Sequence, residues 1–290
     1  MVFFKGCPMR CAWCSTPESQ SFQAEIGFDR SRCAHCGACA AACPKGALTF
    51  ADAPALNREL CGGCFACAAA CPKRAIKKYG KTVSVAEIAK EVSKDEVFYF
   101  HSGGGVTLSG GEPAAQPDCA AELLREIKRR GIHCSIESAL CVPWENVEAL
   151  LPYTDCVLAD LKHMDDGQHK RWTGTGNSLV LDNIRRINSS DFPVSIVIRI
   201  PLIPGVNDDD ENLKAAATLS RELTKKLKAI ELLPYHRLGL NTYKMLDKCC
   251  PLESTAVSPW EHVEERAKYL RSCEPGVPVH AHISPTVNPV

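Results

Sequence analysis

The sequence predicts an α/β protein, a parallel sheet with helices outside it, interrupted by a separate cysteine-rich unit. Three observations predict this. Strand-like and helix-like segments alternate from Val85 to about Leu233. The run from Val194 to Ile200 is strongly β-branched, as a buried strand should be. Of the 18 cysteines, eleven lie before residue 72 in three tight runs, and two of those runs are copies of each other.

Taken in order, the stretch from Val2 to Lys5 reads as a short buried strand ending at a cysteine loop. Residues 27–80 form the separate unit, so one domain comprises residues 1–26 and 81–290 and the other residues 27–80. Val85, Ile88, Ala89 and Val92 fall at helical spacing. A strand from Gly105 to Ser109 leads into a glycine turn, and a helix from Asp118 to Arg130 is stopped by Gly131. Strands follow from His133 to Glu137 and from Cys156 to Asp160, then a helix from Leu179 to Asn188. After the β-branched strand come a helix from Asn212 to Lys226 and a sixth strand from Ala229 to Leu233. The alternation by itself establishes α/β and no named fold.

Composition excludes several classes. The 290 residues are 45% hydrophobic, ample for a core. Lys+Arg and Asp+Glu both number 34, and no basic run offers a nucleic-acid surface. The longest apolar stretch, from Val194 to Ile203, is broken by Arg199 and Pro201 and is too short to span a membrane. The start lacks the basic-then-apolar layout of a signal peptide, so a cytoplasmic protein is expected; a monomer is expected as well. Outside an oxidising compartment, cysteines at ligand spacing read as metal ligands rather than disulfides. The other seven cysteines lack such spacing and read as buried small hydrophobes.

Cys7, Cys11 and Cys14 stand at C-x3-C-x2-C spacing. Thiolates are the usual ligands of iron–sulfur clusters, and a cubane has four irons. Three cysteines leave one iron open to a non-protein ligand, and an amino acid chelating through its amine and carboxylate suits it. A zinc site would favour two separated C-x2-C pairs and a fourth ligand. The unit at 27–80 carries Cys33-x2-Cys36-x2-Cys39-x3-Cys43-Pro44 and Cys61-x2-Cys64-x2-Cys67-x3-Cys71-Pro72. Each copy matches the bacterial ferredoxin run, whose fourth cysteine ligates the other cluster. One cluster is therefore assigned to Cys33, Cys36, Cys39 and Cys71, the other to Cys61, Cys64, Cys67 and Cys43.

The three-cysteine run, with aromatic Trp13 before its last cysteine, resembles the signature of the radical S-adenosylmethionine (radical SAM) superfamily. The wider run GCPMRCAWCSTPESQ resembles one branch, the glycyl-radical-enzyme activating enzymes, similar to the pyruvate formate-lyase activating enzyme. The resemblance implies a partial (β/α)6 TIM-like barrel with an inserted ferredoxin-like domain. It implies S-adenosylmethionine on the Cys7, Cys11, Cys14 cluster, two auxiliary [4Fe-4S] clusters and, as in some members, a monovalent cation. Trp13 would then lie against the adenine. Ser109-Gly110-Gly111-Glu112-Pro113 resembles the GGEP motif that binds the methionine amine. Glu137 and Ser138, with Asp160 and Lys162, would lie around the methionine moiety. Arg199 would meet the ribose and carboxylate, with a structural ion pair as the alternative, and His236 in Leu233-Pro234-Tyr235-His236 would pack near the adenine.

The implied activity is reductive cleavage of S-adenosylmethionine to a 5′-deoxyadenosyl radical. That radical takes a Cα hydrogen from a glycine of a partner enzyme, under anaerobic conditions. A ferredoxin or flavodoxin would supply electrons. The alternatives are a radical enzyme acting on a small molecule and a plain electron carrier. The LPYH and STPESQ segments weigh against the first, and a carrier needs no groups at strand ends. Family members usually carry a further segment before the cysteine run, with an Asp-Gly-Pro-Gly-like turn. Here Met1 opens directly into Val2-Phe3-Phe4, so either the start is truncated or the first strand is short.

Overall fold

The computed structural model describes residues 1–282. Its main sheet has seven strands, all paired in parallel. In chain order the strands are β1 (Val2–Phe4), then β2 to β5 in the cysteine-rich unit, then β6 (Gly105–Gly110), β7 (His133–Ser138), β8 (Cys156–Asp160), β9 (Ser195–Leu202), β10 (Leu227–Pro234) and β11 (Val279–Ala281). The sheet order is β1-β6-β7-β8-β9-β10-β11, so after the first crossover each strand joins the edge left by the one before. The alternation foretells six of these strands. The seventh, β11, is only three residues long and follows a helix, so it carries too little period-two pattern to stand out.

Strand period sets the whole design, because successive side chains point to opposite faces. On β9, Ile196, Ile198, Ile200 and Leu202 are buried, while Val197, Arg199 and Pro201 alternate on the other face. Val106, Leu108, Ile136, Val157, Ala159, Ile230 and Leu232 join the same buried side from neighbouring strands. Covering them are α5 (Pro117–Lys128), α8 (Ser178–Ser189), α9 (Asp210–Glu222) and α11 (Trp260–Ser272); the other helices are α1 (Ala38–Ala41), α2 (Ala66–Ala70), α3 (Val85–Val92), α4 (Glu96–Ser102), α6 (Trp144–Glu148), α7 (Asp166–Thr173) and α10 (Leu240–Met245). Each fully buried aliphatic side chain contributes roughly 1.5–3 kcal/mol. This face therefore carries most of the stability, and the opposite face is free to hold charge.

Helix ends follow local chemistry. Ser84 and Glu87 form a reciprocal capping box at α3 (Val85–Val92). Gly131, at φ 74°, turns the chain after α5, as the sequence indicates. Helix α9 starts where Asp209 caps Asn212 N and ends at Glu222, four residues short of the expected Lys226. Those residues are needed to reach the start of β10 at Leu227.

The cysteine-rich unit has two small antiparallel pairs, β2 (Glu25–Phe28) with β5 (Ile76–Tyr79) and β3 (Leu48–Phe50) with β4 (Pro54–Leu56). Its sequence repeat recurs in the backbone. Left-handed residues stand at matching positions of the two copies: His35 and Gly63, Gly37 and Phe65, Gly46 and Arg74. Two short helices, α1 (Ala38–Ala41) and α2 (Ala66–Ala70), carry Cys39 and Cys67 and pack against each other.

No disulfide joins any of the 18 cysteines. Of the seven outside the runs, Cys134 alone is fully buried, and Cys249 is exposed. The expectation that most are core residues holds only there. No helix among the described residues is long and apolar enough to cross a membrane.

Candidate active site

A cavity of about 500 Å³ opens at the C-terminal ends of the strands, the usual place for function in parallel α/β folds. Cys7, Cys11, Trp13 and Cys14 line it, with Gly110 from the end of β6 and Gly111 from the turn after it. Glu137, Asp160, Lys162, Arg199 and His236 complete the wall from four further strand ends. Thus eleven of the thirteen candidates for this site meet in one place.

The other two, Glu112 and Ser138, do not line the cavity and lie buried beside it, 1% and 2% exposed. The reason is strand parity. Glu137 and Ser138 are adjacent on β7, so they point to opposite faces. Ser138 Oγ donates to Glu112 Oε1 at 2.7 Å, and Glu112 also accepts from Ala114 N at 3.1 Å and Ala139 N at 3.0 Å. Glu112 therefore clamps the turn after β6 to the end of β7 from behind. Burial is the largest influence on this carboxyl and pushes its pKa up to about 7 against its three donors. A raised folded-state pKa means that stability is fully present below the unfolded value and falls as pH rises through the folded one. The Glu112→Gln variant should lose that slope between about pH 4.5 and 7, worth on the order of 3 kcal/mol. Urea titrations at several pH values test this, and identical slopes in both proteins would refute it.

The two glycines also face the protein's own chain. A Cβ on Gly110 would lie 2.7 Å from Phe4 N and O, and one on Gly111 would lie 2.3 Å from Gly6 O. The chain that must come close is the protein's own β1 and cysteine loop. The Gly110 carbonyl is already taken, accepting from Thr16 Oγ1 at 3.2 Å and Ser19 Oγ at 3.1 Å.

The inner face of the sheet carries a row of charge. Asp160, Arg199 and Glu231 are register partners on β8, β9 and β10. Arg199 Nε donates to Glu231 Oε2 at 2.8 Å and Arg199 Nη1 to Glu137 Oε1 at 3.0 Å. Ser109 Oγ donates to the other Glu137 oxygen at 2.5 Å. Burial would lower the arginine's pKa, but Glu137 and Glu231 outweigh it and the net shift is upward. Both readings of Arg199 therefore meet in one side chain, since it is ion-paired and also lines the cavity. Lys162 Nζ donates to Asp160 Oδ2 at 2.6 Å; against burial, Asp160 and Cys11 hold its pKa above the usual lysine range.

Sequence reasoning missed Glu231, and its signal was there. A carboxylate inside the apolar strand Ile230-Glu231-Leu232-Leu233 needs a partner for the same reason that Arg199 does. It also missed fully buried Asn207, which accepts from Ile203 N at 2.7 Å and donates to the carbonyls of Lys162 at 2.8 Å and Pro201 at 2.7 Å. That side chain ties the end of β8 to the end of β9.

The cysteine loop is fastened at both flanks. Gly6 N donates to Ser19 O, Arg10 N to Thr173 O and Ala12 N to Trp172 O, at 2.7, 2.7 and 2.9 Å. Burial raises all three thiols, Cys7 to about 11, Cys11 to about 12, and Cys14 upward despite hydrogen bonds from Thr16. Three bare thiolates are thus disfavoured in this pocket, whereas a cationic iron core would compensate them. Trp13 Nε1 is buried on the cavity wall without a hydrogen-bond partner, a donor left for a ligand. The donor set and this orphaned donor fit a cluster with an organic ligand. Among the described residues, no three Cys, His, Asp or Glu converge tightly enough for a single metal ion.

In the cysteine-rich unit, Cys33, Cys36, Cys39 and Cys71 line one small cavity. Cys43, Cys61, Cys64 and Cys67 line another. The fourth cysteine of each run faces the other run's three. Backbone N–H groups also turn toward these sulfurs. Those of Lys45 to Leu48 lower the Cys43 pKa, and Ala75 N donates to Cys71 Sγ at 3.2 Å. Such bonds stabilise thiolate ligands.

Comparison with known proteins bears on the cavity. The family model described as "Radical SAM superfamily" matches residues 1–217. An isethionate sulfite-lyase activating enzyme of Oleidesulfovibrio alaskensis is 43% identical over 87% of this chain and 82% of its own. A (2S)-3-sulfopropanediol dehydratase activating enzyme of Klebsiella oxytoca is 39% identical over 93% of this chain and 87% of its own. Among solved structures, a domain of pyruvate-formate lyase-activating enzyme from Bacteroides vulgatus superposes with a TM-score of 0.51 at 30% identity. It covers 62% of this chain and 99% of that domain. Streptococcus suis SuiB shares the fold alone, at TM-score 0.59 and 10% identity over 98% of this chain and 48% of its own. With the matched family spanning most of its length and activating-enzyme relatives at about two-fifths identity, this chain belongs to the radical SAM superfamily, in the branch that holds these activating enzymes.

Proposed function

We propose that the protein activates a glycyl radical enzyme. One observation carries the reading: the three cysteines face the charged strand ends Glu137, Asp160, Lys162 and Arg199 across a single cavity. An iron–sulfur cluster held by Cys7, Cys11 and Cys14 would supply one electron to S-adenosylmethionine, giving methionine and a 5′-deoxyadenosyl radical that takes a Cα hydrogen from the partner's glycine. The chain's own residues bind and orient. Trp13 and His236 offer an aromatic and a half-buried imidazole for the adenine, and burial holds that imidazole neutral by lowering its pKa. Lys162 and Arg199 offer cations to the carboxylate and ribose, while Glu137 and Asp160 take the ammonium or a monovalent cation. Strand ends that meet only on the inner face leave the cavity open, as a partial barrel does, and a peptide loop can enter it.

Residues 27–80 act as a ferredoxin-like insert in this reading, with residues 1–26 and 81–290 as the barrel. Its two cysteine cages would each hold a [4Fe-4S] cluster and pass electrons from a ferredoxin or flavodoxin. The relatives' names include a sulfite-lyase and a dehydratase. What carries over is therefore activation rather than any one substrate.

The deciding experiment mixes the protein anaerobically with a co-encoded glycyl radical enzyme, S-adenosylmethionine and reductant. Electron paramagnetic resonance should show a carbon-centred doublet that collapses toward a singlet when the partner's glycine is deuterated. Consumption of the radical by a small molecule with no such signal would transfer the reading to the small-molecule class. Lys162→Ala and Arg199→Ala should each weaken S-adenosylmethionine binding about ten- to hundred-fold, from the loss of roughly 1.5–3 kcal/mol per charge-assisted bond. Unchanged calorimetric affinity in both variants would remove these residues from the binding site.

A further inference from the structure

We propose that the two cysteine cages are ordered in space: the cage of Cys43, Cys61, Cys64 and Cys67 is the inner one, next to the Cys7 loop, and the cage of Cys33, Cys36, Cys39 and Cys71 is the outer one. This rests on the reading of both cages as cluster sites. The order follows from β2, the strand that leaves the cavity and enters the cysteine-rich unit. Its first residue, Glu25, is anchored to the barrel. Lys5 Nζ, two residues before Cys7, pairs with Glu25 Oε2 at 3.1 Å, and Lys248 Nζ pairs with Glu25 Oε1 at 3.4 Å. Arg58, from the unit itself, reaches the same carboxylate at 3.7 Å.

Going outward from Glu25, the next core residue is Ile26, which lines the cage of Cys43, Cys61, Cys64 and Cys67. Two residues further, Phe28 lines the cage of Cys33, Cys36, Cys39 and Cys71. Residues i and i+2 of a strand share a face and lie about 7 Å apart, so the two cages sit side by side along β2, the first at the end held by Lys5 and Lys248 and the second toward Arg30, which pairs with Asp247 at 2.6 Å. The antiparallel partner repeats the order. Tyr79 pairs with Glu25 and donates to Met245 Sδ of α10 (Leu240–Met245) at 3.2 Å, while Ile76 pairs with Phe28 and lines the outer cage. Gly63, between two ligand cysteines of the inner cage, faces Ala24, the residue before β2; a Cβ there would lie 4.0 Å from the Ala24 carbonyl.

The inner cage is therefore the last station before the Cys7 loop. An electron given up by a one-electron donor protein leaves that donor oxidised by one. It passes the inner cage last and is consumed when the sulfonium–carbon bond of S-adenosylmethionine breaks. Glu25, Lys5, Arg58 and Lys248 are positioning residues, since they hold the inner cage against the loop.

Pulsed electron paramagnetic resonance on the full, reconstituted chain tests the order without assaying activity. The spin relaxation of the reduced Cys7-loop cluster is speeded by a reduced neighbour, steeply with proximity. Cys36→Ala, which empties the outer cage, should leave most of that enhancement, and Cys64→Ala should abolish most of it. Cys33→Ala and Cys61→Ala, which remove a different ligand from the same two cages, give the same comparison where the first alanine variant does not fold. The reverse pattern, or equal losses, overturns the order. Iron near four rather than about twelve per wild-type chain would instead sink the cluster reading on which the order rests.

Discussion

Cys11→Ala should abolish 5′-deoxyadenosine formation even with excess dithionite, whereas Cys36→Ala should leave measurable cleavage. The two cysteines differ in what surrounds them. Cys11 lies in the part-buried loop at the cavity, where burial pushes its pKa up to about 12 and Lys162 is the first charge opposing that rise. Cys36 is exposed on the outer cage. Only the three-cysteine loop leaves an iron open for S-adenosylmethionine, so its loss removes the chemistry itself. On the proposed relay, loss of the outer cage would remove a route for electrons that a small reductant can bypass. The Cys7/Cys11/Cys14→Ala triple variant should lose about four irons of about twelve, leaving the insert loaded. Complete loss of cleavage in a folded Cys36→Ala protein would contradict the relay, and unchanged iron in the triple variant would contradict the central assignment.

The site was legible in the sequence where a residue type is forced by chemistry, and less so where geometry decides. The cysteine spacings predict the grouping of side chains around the two cavities of the cysteine-rich unit, with Cys43 and Cys71 exchanged between runs. Arg199 stood out because a lone charge in a β-branched strand demands a partner. Its partner Glu231 escaped, although the same rule applies to Ile230-Glu231-Leu232. Ser138 was placed beside Glu137 by motif, and strand parity puts it on the other face; the period of two, applied residue by residue, would have caught this. Asn207 and β11 were not recoverable in this way. An asparagine's value lies in three backbone partners brought in from two strand ends, and a three-residue strand is defined by its neighbour.

Gly111→Ala should unload the Cys7 loop while sparing the insert. The added Cβ would stand 2.3 Å from Gly6 O, 2.8 Å from Gly6 C and 2.9 Å from Ser19 O, all backbone atoms that have no rotamer to turn aside. The same Gly6 carbonyl accepts from Glu112 N at 2.8 Å, and Gly6 N donates to Ser19 O at 2.7 Å. Relief of the clash must therefore break the bonds that hold the cysteine loop to the turn after β6. Overpacking of this kind costs roughly 1–3 kcal/mol, so Tm should fall by several degrees. Gly103→Ala separates conformation from crowding. Gly103 has φ 67° and nothing within 4 Å of the added carbon, so that variant carries only the left-handed penalty of about 1–2 kcal/mol and should keep all its iron. Iron analysis after anaerobic reconstitution should show Gly111→Ala short by about four atoms per chain and Gly103→Ala complete. Full loading and an unchanged Tm in Gly111→Ala would mean that the cysteine loop is not braced by this turn.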